Sequence, residues 1–198
     1  MPLSKVQSGG ISLSDNFSFT GTVTGTGSNI KERLAMLCDG GTYTVSSGSY
    51  TSTNVTAGAG TSSSFSLLGG STITYTPPAG TVGVLYEFIF QISAKSGQHN
   101  IFSGYLMIDG TEVTDSRTHI GANSNLGDIV NFKYLIPIGG SASTTTGRQA
   151  TWTSGKELKV ECRRHGTSNE PRLHETYYYD GGQTAVFHRP SLVITAIG

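Results

Sequence analysis

Alternation of apolar and polar side chains predicts a chain built mainly from β-strands. The pattern is clearest over residues 82–93, where Val84, Tyr86, Phe88 and Phe90 occupy every second position. The positions between them include Leu85 and Ile89. Because apolar side chains fall on both faces, this segment is typical of a strand at the centre of a sheet.

Turn residues separate this strand from several others. Asp109-Gly110 joins residues 101–108 to residues 111–114, and this dipeptide favours the two-residue type I′ turn of a hairpin. Further strands are predicted over residues 42–45, 72–75, 129–138, 150–153, 158–163, 176–179 and 185–196. Their spacing, with no alternation of strands and helices, predicts an all-β, antiparallel, jelly-roll-like β-sandwich.

One short segment has the pattern of a helix. In residues 29–38, Ile30, Leu34 and either Leu37 or Cys38 recur at helical spacing, and Asp39-Gly40-Gly41 follows as a stop signal. A helix of about ten residues is too short to be stable alone, so it would have to dock on the rest of the protein.

The N-terminal residues 1–28 are predicted to form an extended attachment arm. Phe17, Phe19, Gly21 and Val23 fall at every second position, with Ser and Thr between them. This is the pattern of a strand with one apolar face. The arm has too few apolar residues for a core of its own, so it is expected to pair with the body of the protein or with a partner.

Composition divides the remainder of the chain. Gly, Ser and Thr account for 27, 25 and 26 of the 198 residues, and no charged side chain occurs between residues 40 and 86. We therefore predict an arm (1–28), a short helix with an uncharged neck (29–71) and a sandwich domain (72–198). The neck up to residue 71 has the composition of a flexible linker, but its apolar side chains favour a packed, strand-rich segment.

Charge argues against two classes of partner. The formal net charge is zero, and no basic stripe of the kind that neutralises nucleic-acid phosphates is present. No apolar run reaches the roughly 20 residues that span a bilayer, and no signal peptide is recognisable.

The densest basic cluster contains Arg163, Arg164, His165, Arg172, His174 and Arg189. It is interpreted as salt bridges and solvated strand faces, or alternatively as a site for an anionic surface such as a glycan carboxylate.

The sequence contains no recognisable catalytic, metal-binding or cofactor motif. Cys38 and Cys162 lie too far apart for a zinc or redox pair, and we expect small buried hydrophobes, with a long-range disulfide as the alternative. The five histidines show no metal-ligand spacing, and Asp109, Asp115, Asp128 and Asp180 are expected at turns. No enzymatic activity and no cofactor are therefore predicted.

Three aromatic side chains are the candidates for contact with a glycan or with another subunit. Tyr177 and Tyr179 would share one face of a strand, and Trp152 is the single tryptophan. Exposed aromatic rings stack on sugars and are enriched at interfaces. The alternatives are packing near a sheet edge for the tyrosines and a core anchor for Trp152.

Two stretches carry a resemblance to a known class of proteins. The N-terminal LSKVQSGGISLSDNFSFTGTVTG resembles the opening segment of structural proteins from tailed phages, especially marine ones. The order of PPAGTVGVLYEFIFQIS, YLMIDGTEV and RPSLVITAIG is similar to that of C-terminal sandwich domains of phage tail-fibre and virion-surface proteins. Those domains are jelly-roll-like, usually trimeric, and reminiscent of complement-type and tumour-necrosis-factor-type sandwiches.

The resemblance implies a structural protein on the surface of a virion, made in the host cytoplasm. It would be a homotrimeric short tail fibre or receptor-binding appendage, held to other virion proteins by Phe17, Phe19 and Val23 of the arm. Host-surface glycan is the expected receptor class, with no nucleic-acid contact and no membrane insertion. The alternatives are a capsid decoration or cement protein on the head surface, a carbohydrate-binding module, and a polysaccharide-degrading enzyme.

Overall fold

The computed structural model describes residues 29–94, 97–121, 127–166, 170–177, 179–182 and 184–198, and its regular structure is almost entirely β-strand. The strands are β1 (Ile30–Leu37), β2 (Thr42–Val45), β3 (Gly48–Thr51), β4 (Ala59–Gly60), β5 (Ser66–Leu67), β6 (Ile73–Tyr75), β7 (Gly83–Ser93), β8 (Phe102–Ile108), β9 (Thr111–Glu112), β10 (Thr118–Ile120), β11 (Asp128–Pro137), β12 (Lys156–Arg164), β13 (Arg172–Leu173), β14 (Glu175–Thr176), β15 (Val186–Phe187) and β16 (Ser191–Ile197). The described residues contain one turn of 3-10 helix, Thr114–Ser116. The predicted all-β class is confirmed.

Strand β7 is the centre of the first sheet, as its two-sided apolar pattern predicts. It pairs antiparallel with β16 on one side and with β11 on the other, and β1 extends the sheet beyond β16. The short strands β13 and β4 continue this sheet past the end of β16. Strands from both ends of the described chain therefore meet in one layer.

The second sheet is formed by β10, β8, β12 and β5, with β9 paired to β8 and β6 paired to β12. Its long central pair, β8 and β12, runs in register from Ile108↔Leu158 to Phe102↔Arg164. All these pairings are antiparallel. The two sheets enclose one hydrophobic core, whose largest fully buried side chains are Tyr75, Tyr86, Phe88, Phe90 and Phe102.

The predicted helix over residues 29–38 is wrong, because these residues form strand β1. Leu34, Met36 and Cys38 are buried at alternate positions, and the side chains between them are exposed. The apolar residues of this segment therefore also fit the two-residue period of a β-strand. Pairing with β16 gives the backbone hydrogen bonds and buries three side chains, which outweighs the weak helix propensity of a ten-residue segment.

The Asp109-Gly110 hairpin is confirmed. Asp109 has φ 47° and Gly110 has φ 77°, the two positive values that a type I′ turn requires. The Asp109 carboxylate also accepts hydrogen bonds from Lys156 Nζ (3.0 Å) and from the Glu157 amide (2.9 Å). The turn is thereby tied to the beginning of β12.

Three other strand predictions are corrected. The strand predicted over residues 176–179 is wrong, because β14 ends at Thr176, with a bend at Tyr177 and a turn at Tyr179. Residues 150–153 form a loop in which Trp152 is buried and donates a hydrogen bond from Nε1 to the carbonyl oxygen of Tyr75 at 3.0 Å. The strand predicted over residues 185–196 is divided into β15 and β16 by the irregular residues 188–190. Pro190 ends this break, since its ring removes an amide donor from a sheet ladder.

The uncharged segment contributes strands to both sheets. Its β4 pairs with β13 in the first sheet, and its β5 and β6 pair with β12 in the second. The hairpin of β2 and β3 packs beside β1. The division into arm, neck and sandwich domain stays a prediction, and the arm lies outside the described residues.

A buried carboxylate ties β1 to its neighbours. Glu32 is buried and accepts hydrogen bonds from the hydroxyls of Ser46, Ser47 and Tyr75 and from the amide of Ser47. Burial by itself raises the pKa of Glu32, but the bonds from Ser46, Ser47 and Tyr75 outweigh it and leave the pKa lowered. The ionised carboxylate therefore fastens three segments of the chain to one another.

A buried histidine lies between the two short strands β13 and β14. His174 has φ 63° and is 1% exposed, and its ring lies edge-on to Phe88 and Phe90 at centroid distances of 6.2 and 6.1 Å. Neither ring nitrogen has a hydrogen-bond partner among the described residues. Burial lowers the pKa of His174 to about 4 and outweighs the opposite effect of the nearby Gly69 backbone.

Both cysteines carry free thiols and are buried, as the interpretation of small hydrophobes predicts. Burial raises the pKa of Cys38 to about 11 and that of Cys162 to about 12.

The described part of the chain contains no group of three or more His, Cys, Asp or Glu side chains placed to hold a metal ion. It also contains no helix with the length and hydropathy needed to cross a membrane.

Candidate functional site

The second sheet carries a groove on its outer face. The groove has a volume of about 450 Å³. It is lined by aromatic, charged and hydroxyl side chains from the two central strands, the adjoining short strands and the segment before β5: Phe65, Ser103, Gly104, Tyr105, Glu112, Arg117, Thr118, His119 and Arg163.

Strand alternation places these side chains on the outer face. Leu106 and Val160 are buried in the core, so their neighbours Tyr105 and Glu161 point the other way. The register pairs Tyr105 with Glu161 and Ser103 with Arg163. These outward residues therefore lie side by side on two adjacent strands.

An aromatic and guanidinium stack forms one wall of the groove. The rings of Phe65 and Tyr105 are 4.5 Å apart between centroids at an interplanar angle of 46°. The guanidinium carbon of Arg163 lies 4.9 Å from the centroid of the Phe65 ring. A cation–π contact of this kind restricts the Arg163 side chain.

Hydrogen bonds fix the polar groups around this stack. The hydroxyl of Tyr105 donates to Glu161 Oε2 at 3.0 Å. Burial, the bond to Glu161 and the charge of that carboxylate raise the pKa of Tyr105 to about 12, so the phenol stays protonated at neutral pH. Arg117 donates from Nε to Glu112 Oε1, forming an ion pair whose side chains are largely solvated.

His119 lines the groove and is in contact with a second histidine ring. Ser103 Oγ and His119 Nδ1 form a hydrogen bond of 3.2 Å. The rings of His119 and His165 meet edge to face at 5.4 Å between centroids. These contacts add planar polar groups beside the aromatic wall.

A second groove adjoins the first and shares Glu112 with it. This groove, of about 290 Å³, lies between the β8–β9 hairpin and residues 142–149. Its lining includes Thr111, Ser143 and Thr144. Glu112 is therefore the side chain through which the two grooves adjoin.

The chemistry of the first groove suits binding. Aromatic rings pack against the C–H faces of sugars, and guanidinium, carboxylate and hydroxyl groups bond to their hydroxyls. A concave site with an apolar wall and a few fixed polar groups is the usual form of a small-ligand site.

The aromatic residues singled out from the sequence lie elsewhere. Trp152 and Tyr177 are buried, and Tyr177 donates its hydroxyl hydrogen to Glu175 Oε1 at 3.1 Å. Burial favours the core-anchor interpretation of Trp152, whereas Tyr179 is 79% exposed. Contact of the three with a glycan or a subunit stays a prediction. Phe17, Phe19 and Val23 of the arm lie outside the described residues.

The basic cluster of the sequence is dispersed in space. Arg172 pairs with the buried Glu175, and Arg189 Nη1 donates to the carbonyl oxygens of Cys38 and Val55. Arg163 is the member that lines the groove. Sequence reasoning missed Phe65 and Tyr105, although Tyr105 stands at a recognisable outward position of the predicted hairpin.

Comparisons with known proteins give only remote structural likeness. No protein-family model matches the chain, and no curated protein matches it. Among solved structures, the chain is similar to the EclA C-terminal domain, a sugar-binding protein, with a TM-score of 0.35 and 13% identity over 60% of this chain and 74% of the other. It is also similar to infectious bursal disease virus, Gx strain (TM-score 0.38, 10% identity) and Gt strain (TM-score 0.34, 11% identity). Each viral match covers 93% of this chain but only 42% of the viral chain. Scores this low carry no argument about function.

Proposed function

We propose that this protein is a non-enzymatic surface protein of a phage particle that contacts host-surface glycan through the groove on its second sheet. The observation that carries the glycan contact is the wall of Phe65, Tyr105 and Arg163, with fixed hydrogen-bonding groups around it. The assignment to a phage particle rests on the resemblance of the N-terminal and C-terminal segments.

The glycan contact is tested by presenting the full chain to an array of bacterial surface polysaccharides. Phe65→Ser removes the ring against which Tyr105 and Arg163 pack, so we expect at least a tenfold loss of affinity. Tyr179→Ser is the matched control, because Tyr179 is exposed and is absent from the groove lining. A folded wild-type protein that binds no glycan would overturn the proposal, and a loss with Tyr179→Ser alone would move the site to that residue.

We also propose that copies of this chain associate through the outer face of the first sheet. Leu85, Leu135 and Val193 lie on this face, and Leu135 remains 51% exposed. The charges of Glu87 and Lys133 at its centre neutralise each other in a salt bridge of 3.3 Å. A sheet face with exposed leucine and a neutralised central ion pair is the kind of surface that subunits can bury. A homotrimer is the assembly that the resemblance implies.

The oligomeric state is tested by light scattering of the full chain. Leu135→Glu places a charge on the apolar face, so we expect it to give a folded monomer. Leu67→Glu is a matched control, since Leu67 is 53% exposed on the second sheet. A monomeric wild-type protein, or equal behaviour of the two variants, would contradict self-association through this face.

Attachment to the particle is assigned to the arm, residues 1–28. Deletion of residues 1–25 is expected to abolish incorporation into particles while leaving the assembly folded. Normal incorporation of the truncated chain would refute this assignment. Negative-stain images of gold-labelled particles would distinguish a tail appendage from the alternative, a decoration protein on the head.

A further inference from the structure

Arg163 differs from the other groove arginine in what it contacts. Arg117 is bound to Glu112, whereas Arg163 stacks on Phe65 and has no salt bridge within the described residues. The nearest outward carboxylate on its own strand, Glu161, accepts a hydrogen bond from Tyr105. Arg163 therefore brings a positive charge that its charged neighbours leave unpaired.

The contact with Phe65 holds the Arg163 side chain in a position that favours binding of a planar anion. The guanidinium carbon of Arg163 lies over the Phe65 ring, 4.9 Å from its centroid, and the planar fork of N–H donors that an arginine carries matches the two oxygens of a carboxylate. Stacking also restricts the side-chain rotamers before a ligand arrives, which reduces the entropy lost on binding.

The pairing of the charged groups favours the same class of ligand. The lining contains two arginines and one glutamate, and that glutamate is paired with Arg117. The neighbouring carboxylate of Glu161 accepts the hydroxyl hydrogen of Tyr105. Arg163 is therefore the arginine of the lining that no salt bridge within the described residues occupies, and it lies next to two aromatic rings that suit a sugar.

We infer that the groove is selective for saccharides that carry a carboxylate, such as uronic or sialic acids, with Arg163 binding the two carboxylate oxygens. This inference rests on the proposed glycan-binding function and adds the substrate class. Because Arg163 can pair with a carboxylate, we expect acidic saccharides to bind more tightly than neutral ones. Because the aromatic wall packs against sugar rings, we expect acidic saccharides also to bind more tightly than acidic peptides.

The test compares acidic saccharides with neutral counterparts and with an acidic peptide. Calorimetry with the full chain would use an oligogalacturonate and its methyl ester, sialyllactose and lactose, and a glutamate tetrapeptide. We expect at least one acid to bind ten times more tightly than its neutral counterpart, and the peptide to bind more weakly than that acid. Higher salt should reduce the difference between the acid and its neutral counterpart.

Two substitutions assign the selectivity to the guanidinium. Arg163→Gln should abolish the preference for the acid, and Arg163→Lys should restore it only in part, because an ammonium cannot form the bidentate pair. Circular dichroism of both variants confirms that the fold is kept. Equal affinity for acid and neutral ligand, or unchanged preference in Arg163→Gln, would overturn this inference while leaving glycan binding in place. Equal binding of the tetrapeptide would overturn the saccharide class, and no binding of any saccharide would refute the proposed function as well.

Discussion

Acid should destabilise this protein through His174. The ring is buried beside Phe88 and Phe90, and burial lowers its pKa to about 4. An unfolded chain has a histidine pKa of about 6.5, so between these two values the unfolded state binds more protons than the folded state. Stability conferred by the neutral ring is complete above about pH 6.5 and is lost as the pH falls towards 4.

The size of this effect follows from the two pKa values. Between pH 7 and pH 4.5 the linkage relation gives a loss of about 2.5 kcal/mol in the free energy of unfolding. The charges that face the ring are those of Glu175 and His188, which act in opposite directions. Such a loss is a large share of the free energy of unfolding of a typical domain, which is roughly 5–15 kcal/mol.

Urea unfolding at pH 7 and pH 4.5, followed by the fluorescence of Trp152, measures the effect. His174→Asn provides the comparison, because asparagine does not titrate in this range and tolerates a positive φ. We expect the pH-dependent loss to shrink by about 2.5 kcal/mol in this variant, whatever its stability at pH 7. Contributions from carboxylates are common to both proteins and cancel, and all samples are compared at one protein concentration.

The matched control is His119→Asn, at an exposed position on β10. It should leave the pH dependence of the unfolding free energy close to that of the wild type. If His174→Asn keeps the full acid sensitivity, the buried ring is not its source and the reasoning is refuted.

Three further changes test the packing described above by urea unfolding followed by far-ultraviolet circular dichroism, because one of them removes Trp152, the single tryptophan of the chain. Glu32→Gln should lower the free energy of unfolding by about 2–3 kcal/mol, because it replaces a carboxylate that accepts several hydrogen bonds. A decrease under about 0.5 kcal/mol would contradict that role. Trp152→Phe should cost about 1–2 kcal/mol by leaving the Tyr75 carbonyl without its donor, whereas Tyr179→Phe, at an exposed site, should change stability by under about 0.5 kcal/mol. Gly110→Ala should cost about 1 kcal/mol, because its φ of 77° disfavours a side chain; an unchanged or raised stability would argue against the type I′ turn.

Much of the fold follows from local patterns in the sequence. The two-sided apolar run predicts the central position of β7, and Asp109-Gly110 predicts the hairpin, because each signal is confined to a few neighbouring residues. Strand β1 was mispredicted because Leu34 and Cys38 satisfy both a helical and an alternating period. Only the partner strand β16, at the other end of the chain, decides between them.

The candidate site was less accessible to sequence reasoning. Phe65, Tyr105 and Arg163 come from three separate segments, and only the register of β12 with β8, together with the adjoining β5, brings them into contact. The spacing of these residues along the chain does not indicate that register. Trp152 and Tyr179 are conspicuous aromatic residues in the sequence, but Trp152 is buried and Tyr179 is absent from the groove lining.

The pairing of β1 with β16 has a consequence for biosynthesis. The partner of Leu34 is Ile194, and Gly198 donates its amide hydrogen to the carbonyl oxygen of Asn29. A ribosome therefore synthesises β1 long before β16, and the two strands can pair only after β16 has left the exit tunnel. Such long-range pairing is slow, and the waiting apolar strand is exposed to neighbouring nascent chains on the same message. We therefore expect chaperones to protect β1 during synthesis.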